Sequence, residues 1–314
     1  MKPQVPWLIH ALTSSPSLES TDSSQILANH GGPLRTALFK FDRPSLNTDN
    51  AAVQIHFACT RCGNCCRNLK LPLTVAEAIG WIGDGNSVQV ICEAVPWPTE
   101  PPASDQKAAH RRRRSFAAMS GAMPTRVIVI LAAHFTGACP NLGADMQCGI
   151  YARRPLVCRI YPAEINPFIR LEPANKACPP EAWAADGPVL QRDGRVEDDV
   201  VRANIERSRM NDALDARIKA RLCAALHLNA AALAEEGFVV YSPDRAILLD
   251  ELKRAAEDQG IGVPETSWEF ASNQSSTVAS IASIGAIGSL VRNEDDRPYE
   301  YLGFKAASDR RQAP

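Results

Sequence analysis

The spacing of apolar and polar positions divides the chain into stretches of different period. Residues 1 to about 50 are rich in Ser, Thr, Asn and Pro with no sustained period, which predicts a flexible N-terminal segment. Ala52 to Phe57 sets Val53, Ile55 and Phe57 on one face and reads as a short strand. Thr74, followed three residues later by Glu77, forms a capping box and predicts a short helix that stops near Gly83. Residues 93–115 contain Pro96, Pro98, Pro101 and Pro102 and then the basic run Arg111 to Arg114, and read as an exposed excursion. Arg126 to Leu131 is β-branched and apolar, a buried strand. From Asp198 to about Leu226, the positions Val201, Ile205, Leu214, Ile218, Leu222 and Leu226 recur mostly in steps of four, an amphipathic helix with a bend or break near Asn211. Phe238 to Tyr241 is strand-like, and Ser242 with Pro243 opens a further helix that ends near Gly260. From about residue 261 the chain is Ser/Ala/Gly-rich and then charged, a low-complexity tail.

The fold class these elements predict is α+β, mainly helical with short strands, with an irregular cysteine-rich metal-binding core and disordered termini. Four parts follow: a flexible segment over 1–50, a cysteine-cluster domain over 51–180 that includes the 93–115 excursion, a helical scaffold over 181–260 packed on it, and the tail over 261–314.

Charge and composition narrow the partners. A net charge of −1 over 314 residues supplies no global field for nucleic acid or an anionic membrane. The apolar stretches Val127 to Ala133 and Ile281 to Val291 fall far short of the ~20 residues that span a bilayer. The N-terminus has an apolar run broken by Pro6 and His10 and no clear small-residue cleavage site, so no signal peptide is read. A soluble, cytoplasmic protein is expected. In a reducing compartment its clustered thiols would not persist as disulfides, which leaves metal ligation or redox chemistry.

That chemistry centres on Phe57 to Arg67, where Cys59, Cys62, Cys65 and Cys66 fall within eight residues. A CxxC pair lets two thiolates reach one ion, and Gly63 permits the intervening turn. Adjacent side chains rarely point the same way, so one of Cys65 and Cys66 serves a second site or stands behind the ligands. The run needs thiols from elsewhere, and Cys139, Cys148, Cys158 and Cys178 supply them.

The order Cys59-Thr-Arg-Cys-Gly-Asn-Cys-Cys-Arg67, Cys139-Pro, Cys148-Gly-Ile-Tyr151-Ala-Arg-Arg154-Pro-Leu-Val-Cys158-Arg159-Ile-Tyr161-Pro162 and Cys178-Pro resembles the bacterial and archaeal CxxCxxCC cysteine-cluster proteins, the YkgJ-like family of zinc- or iron-chelating domains. The resemblance covers about residues 55–180 and implies that all eight of these cysteines bind metal. Cys92 and Cys223 fall outside the pattern and read as ordinary buried residues. Against the anionic thiolates, Arg61, Arg67, Arg154 and Arg159 are candidate donors of charge-assisted N–H···S contacts; the alternative for Arg154 and Arg159 is pairing with Glu164 or Glu172 to brace the loop. Tyr151 and Tyr161 read as packing residues with hydroxyls tied to backbone, and His56 and His134 as poor substitutes for a thiol.

The C-x2-C-x2-C spacing and the Cys-Pro pairs favour an iron–sulfur cluster slightly over zinc. The primary reading is a metal-binding protein. Flagellin lysine methylases carry a related motif, so the resemblance also allows a cluster-dependent enzyme of redox or protein lysine methylation chemistry, although no glycine-rich cofactor loop, P-loop or zincin motif is present. The net charge disfavours a third reading, a zinc protein that binds nucleic acid. The sequence does not identify a protein partner.

Overall fold

The computed structural model describes residues 53–307, apart from 259, 261, 263–265 and 293–295. The expected flexible segment 1–50 and the end of the expected tail, 308–314, lie outside the described residues.

The centre is a mixed sheet of nine strands, not a helical assembly. Its spine is an antiparallel pair, β3 (Val88–Pro96) and β5 (Met123–His134), in register from Val88 opposite Ala133 to Pro96 opposite Thr125. β2 (Lys70–Leu73) and β4 (Ser115–Ser120) both pair with β5. The second edge of β3 is shared by β9 (Gly237–Tyr241), antiparallel beside residues 90–92, and β8 (Ala230–Leu233), parallel beside 93–94. β10 (Glu269–Ser272) and β11 (Gly288–Leu290) extend the sheet in parallel beyond β8, and β12 (Glu300–Gly303) pairs with β9. A separate three-stranded sheet joins β1 (Gln54–His56), β6 (Val189–Arg192) and β7 (Arg195–Val196).

The expectation of a mainly helical chain is therefore corrected. β3 shows why the pattern misled: Val90, Cys92 and Ala94 enter the larger core while Ile91 enters a smaller one on the opposite face. Gln89 and Glu93, both buried, interrupt what would otherwise be the continuous apolar run of a strand buried on both faces, so neither alternation nor an unbroken run marks β3. The excursion over 93–115 is corrected for the same reason, since its first residues complete β3. Beyond the prolines, Asp105 caps α2 (Gln106–Arg113), its carboxylate accepting from the Ala108 N–H at 2.9 Å, and within the basic run Arg111 pairs with Glu235 and Arg112 with Glu100. The tail is corrected too. Between β10 and β11 runs a helix, α6 (Ser275–Ser283), and the small residues that read as low complexity permit close packing: a Cβ on Gly288 would lie 3.1 Å from the Val278 carbonyl oxygen.

Three other helices cover the larger core. α1 (Val75–Gly83) has the expected capping box, Thr74 and Glu77 each accepting from the other's backbone N–H. α4 (Asp199–Ala225) is one uninterrupted helix through Asn211, with Asp198 as its cap; Leu214, read as a core position, is 69% exposed, and Ala216, Ala220, Leu222 and Cys223 form the buried face. α5 (Arg245–Glu257) is capped by Asp244 rather than Ser242. Asp215 of α4 accepts from the Val75 N–H at 2.8 Å and so ties α4 to the start of α1. Among the described residues no helix is long and apolar enough to cross a membrane.

Candidate metal centre

β1 delivers the chain to the cysteine run, and backbone bonds fix its path: Phe57 N–H donates to Pro188 O at 3.0 Å and Ala58 N–H to Ala182 O at 2.8 Å. Arg61 and Gly63 then adopt positive φ angles of 56° and 71°, and Cys66 N–H closes the turn on Gly63 O at 3.0 Å. Residues 66–68 run beside 137–139, with Cys139 N–H bonded to Cys66 O and Asn68 N–H to Gly137 O, both at 2.8 Å. A tight reversal follows, in which Leu142 bridges Cys148 and Gly149 N–H returns to Asn141 O at 2.8 Å. Cys158 lies on α3 (Leu156–Ile160), whose first N–H is accepted by Glu77 at 2.7 Å, so the carboxylate that caps α1 also anchors the cysteine helix. Cys178 is placed through its neighbour: Ala177 N–H donates to the Tyr161 hydroxyl at 3.0 Å and Ala177 O accepts from Asn64 at 3.3 Å.

These segments surround a cavity of about 470 Å³ lined by all eight of Cys59, Cys62, Cys65, Cys66, Cys139, Cys148, Cys158 and Cys178. Cys92 and Cys223 are not among its lining residues; both are buried in the larger core. His56 and His134 do not line it either, and His56 Nδ1 lies 2.7 Å from the Gly187 carbonyl oxygen. Leu69, Leu71, Trp81 and Phe135 add apolar side chains to its lining. The Trp81 indole N–H is buried without a hydrogen-bond partner.

The thiols act on one another electrostatically. The Cys65 and Cys66 sulfurs are 4.0 Å apart, and this hydrogen bond drives Cys65 well above the usual thiol range while it lowers Cys66 to about 7, where Arg154 and Arg67 reinforce it against burial. Burial raises Cys158 strongly, and the charges of Cys66 and Cys139 add to it. Burial also raises Cys139 and Cys178, opposed by the polar groups of neighbouring Asn141 at Cys139 and by the Tyr161 hydroxyl at Cys178. Deprotonating such a cluster is costly without a cation inside it.

The arginines divide. Arg61 and Arg154 flank the Tyr151 ring at 4.8 and 3.8 Å from its centroid, and Arg154 Nε donates to Tyr151 O at 3.1 Å. Arg67 reaches the Met146 sulfur at 3.5 Å. Arg159 donates to the Arg154 and Ala152 carbonyls at 2.7 and 3.2 Å and braces the loop, whereas Glu164 pairs with Lys176 and Glu172 with Arg170. The Tyr161 hydroxyl, expected to be tied to backbone, accepts from Ala177 N–H beside Cys178. Asn141, two residues after Cys139 in a Cys-Pro turn where short polar side chains bond locally, lines the cavity and was not singled out from the sequence.

The donor set fits a thiophilic metal. Among the described residues Asp198, whose side chain caps α4, is the only carboxylate lining the cavity, and sulfur-rich sites select zinc or iron over magnesium and calcium. Among the described residues no three His, Cys, Asp or Glu side chains are close enough to grip one ion, so the sulfurs converge on the cavity without closing on a point.

Thiols from separated segments gathered around one cavity, on a scaffold of sheet and helices, define a cysteine-cluster domain. Residues 58–179 match the CxxCxxCC family, described as a putative zinc- or iron-chelating domain. No curated protein and no solved structure matches the chain.

Proposed function

We propose that the protein binds its metal through these eight cysteines, and that Arg67 and Arg154 offset the thiolate charge. The supporting observation is the cavity, because four distant stretches of chain turn every family cysteine toward it and leave Cys92 and Cys223 in the core. The C-x2-C-x2-C spacing and the Cys-Pro pairs favour an iron–sulfur cluster over zinc. A reducing, cytoplasmic setting suits thiols held for metal. The test is elemental analysis of anaerobically purified protein beside its variants. Cys62→Ser and Cys158→Ser lower metal content, and Cys92→Ala and Cys223→Ala leave it unchanged; the reverse pattern would discard the assignment.

The apolar wall and the unpartnered Trp81 N–H favour a second reading, in which a small organic molecule sits beside the metal and the protein is a cluster-dependent enzyme. Bound metal would supply a redox or Lewis-acid centre, while Leu69, Leu71 and Phe135 exclude water and Trp81 orients an acceptor. A change in the visible spectrum of metal-loaded protein on adding cyanide supports an open coordination position; an unchanged spectrum argues for the purely binding role.

A further inference from the structure

We propose that two copies of the chain associate through α4, the paired helices lying antiparallel about a two-fold axis. The basis is a stripe open to solvent along a helix whose other face is in the core.

The stripe has its own period. Val200, Ala203, Arg207, Met210, Leu214 and Arg217 follow one another in alternating steps of three and four, and all six are exposed. That is the heptad spacing of a helix seam, and it is separate from the buried face of Ala216, Ala220, Leu222 and Cys223. Val200, Leu214 and Met210, at 70, 69 and 61%, are the three most exposed large apolar side chains among the described residues. Three such side chains aligned on one helix mark an association surface, unlike apolar residues scattered singly.

Charge selects both the occupant and its direction. In a parallel pair of helices Arg207 and Arg217 would each meet their own copy. Reversing the second helix sets Arg207 across from the partner's Met210, Ala203 across from the partner's Leu214, and Val200 across from the partner's Arg217. Each arginine then lays its alkyl stem on an apolar residue and turns its charge to the rim of the seam. Acids stand at both rims. Asp199, next to Val200 and with 85% of its side chain exposed, meets the partner's Arg217, and the partner's Glu206, one turn before Met210 on the same face, meets Arg207. The stripe therefore complements itself, as a two-fold contact between identical chains requires. Asp198 and Val201 line the cysteine cavity, so the pairing carries the partner's Arg217 to the helix start that borders each cavity.

Sedimentation equilibrium of the full-length chain, in reducing buffer so that no disulfide joins the copies, tests this. The expected result is a reversible dimer. Leu214→Glu is expected to give monomer with unchanged helical circular dichroism, because the side chain it replaces is exposed. A wild-type chain that stays monomeric up to near-millimolar concentration overturns the proposal, and a dimer that Leu214→Glu leaves intact places the interface elsewhere and overturns it too. Direction is read by charge reversal. Asp199→Arg and Arg217→Asp each set like charges together at both ends of the antiparallel seam and weaken the dimer several-fold, whereas an equimolar mixture of the two variants restores it, since every end then joins opposite charges. A mixture that associates no more tightly than the separate variants overturns the antiparallel pairing.

Discussion

At Gly63, a φ of 71° coincides with a tight approach, since a Cβ there would lie 2.8 Å from Met146 Cε and 3.2 Å from the Met146 carbonyl oxygen. The turn that spaces Cys62 from Cys65 is therefore available to glycine alone. Left-handed backbone costs an L-residue about 1–2 kcal/mol before any clash. Gly63→Ala is expected to lower stability by at least that amount and to reduce metal content, read by denaturant unfolding and metal analysis of one preparation; an unchanged protein would mean the turn relaxes freely. Glu93 offers a residue-scale test away from the cysteines. Burial in β3 raises its carboxyl from 4.5 to about 7, with Arg114 and Arg111 opposing and Glu235 adding to the rise. The folded state then holds a proton that the unfolded chain has lost between about pH 4.5 and 7, so stability falls as pH rises through that window, by at most about 3 kcal/mol. Glu93→Gln should flatten this slope in urea unfolding series between pH 5 and 8. A slope equal to the wild type would show that Glu93 ionises without cost.

Among the elements, Glu77 joins two helices: one carboxylate oxygen accepts from Thr74 N–H at 3.0 Å and the other from Leu156 N–H at 2.7 Å. Glu77→Ala removes a capping partner from α1 and the anchor of α3, which carries Cys158. A loss on the order of 1–3 kcal/mol is expected, with a lower metal affinity that a conventional helix cap would not show; calorimetric unfolding and competitive zinc titration together read both. Half of this was legible beforehand. Thr74 and Glu77 announce α1 because a capping box is a local signal, whereas the bond to Leu156 spans 79 residues and leaves no mark in sequence. The same distinction explains the sheet. β1, β5 and β9 showed as short apolar runs, but β3 lay hidden because the buried polar residues Gln89 and Glu93 interrupt its apolar run, and β10 and β11 because their small residues pack against α6. The cysteines were legible as a set from spacing and family resemblance, while the tie from Tyr161 to Ala177 beside Cys178 became visible only once the loop closed. Arginine was a fair expectation for a charged cluster, but Arg159 spends its donors on carbonyls.

Across the whole molecule, the cysteine segment and the sheet depend on different forces. The sheet and its helices bury a continuous apolar core, with Leu131, Leu222, Leu248 and Leu252 fully enclosed. The loops over 57–68 and 137–178 hold short irregular turns whose sulfurs repel one another when ionised. A structural zinc contributes about 10–16 kcal/mol of apparent binding energy, comparable with the whole stability of a typical domain. Removing the metal is therefore expected to loosen these loops first and leave β3, β5 and α4 protected. Hydrogen exchange on metal-free and metal-loaded protein checks this, and equal protection of the loops in both forms would make the metal a passenger.

X-ray absorption at the edge of the metal present in the anaerobically purified protein tests the central claim most directly, because it reads the ligand atoms themselves. The account predicts a first shell of four sulfur atoms at about 2.3 Å with no nitrogen or oxygen component. A shell dominated by nitrogen or oxygen would contradict it and return the eight cysteines to the status of free thiols around a cavity.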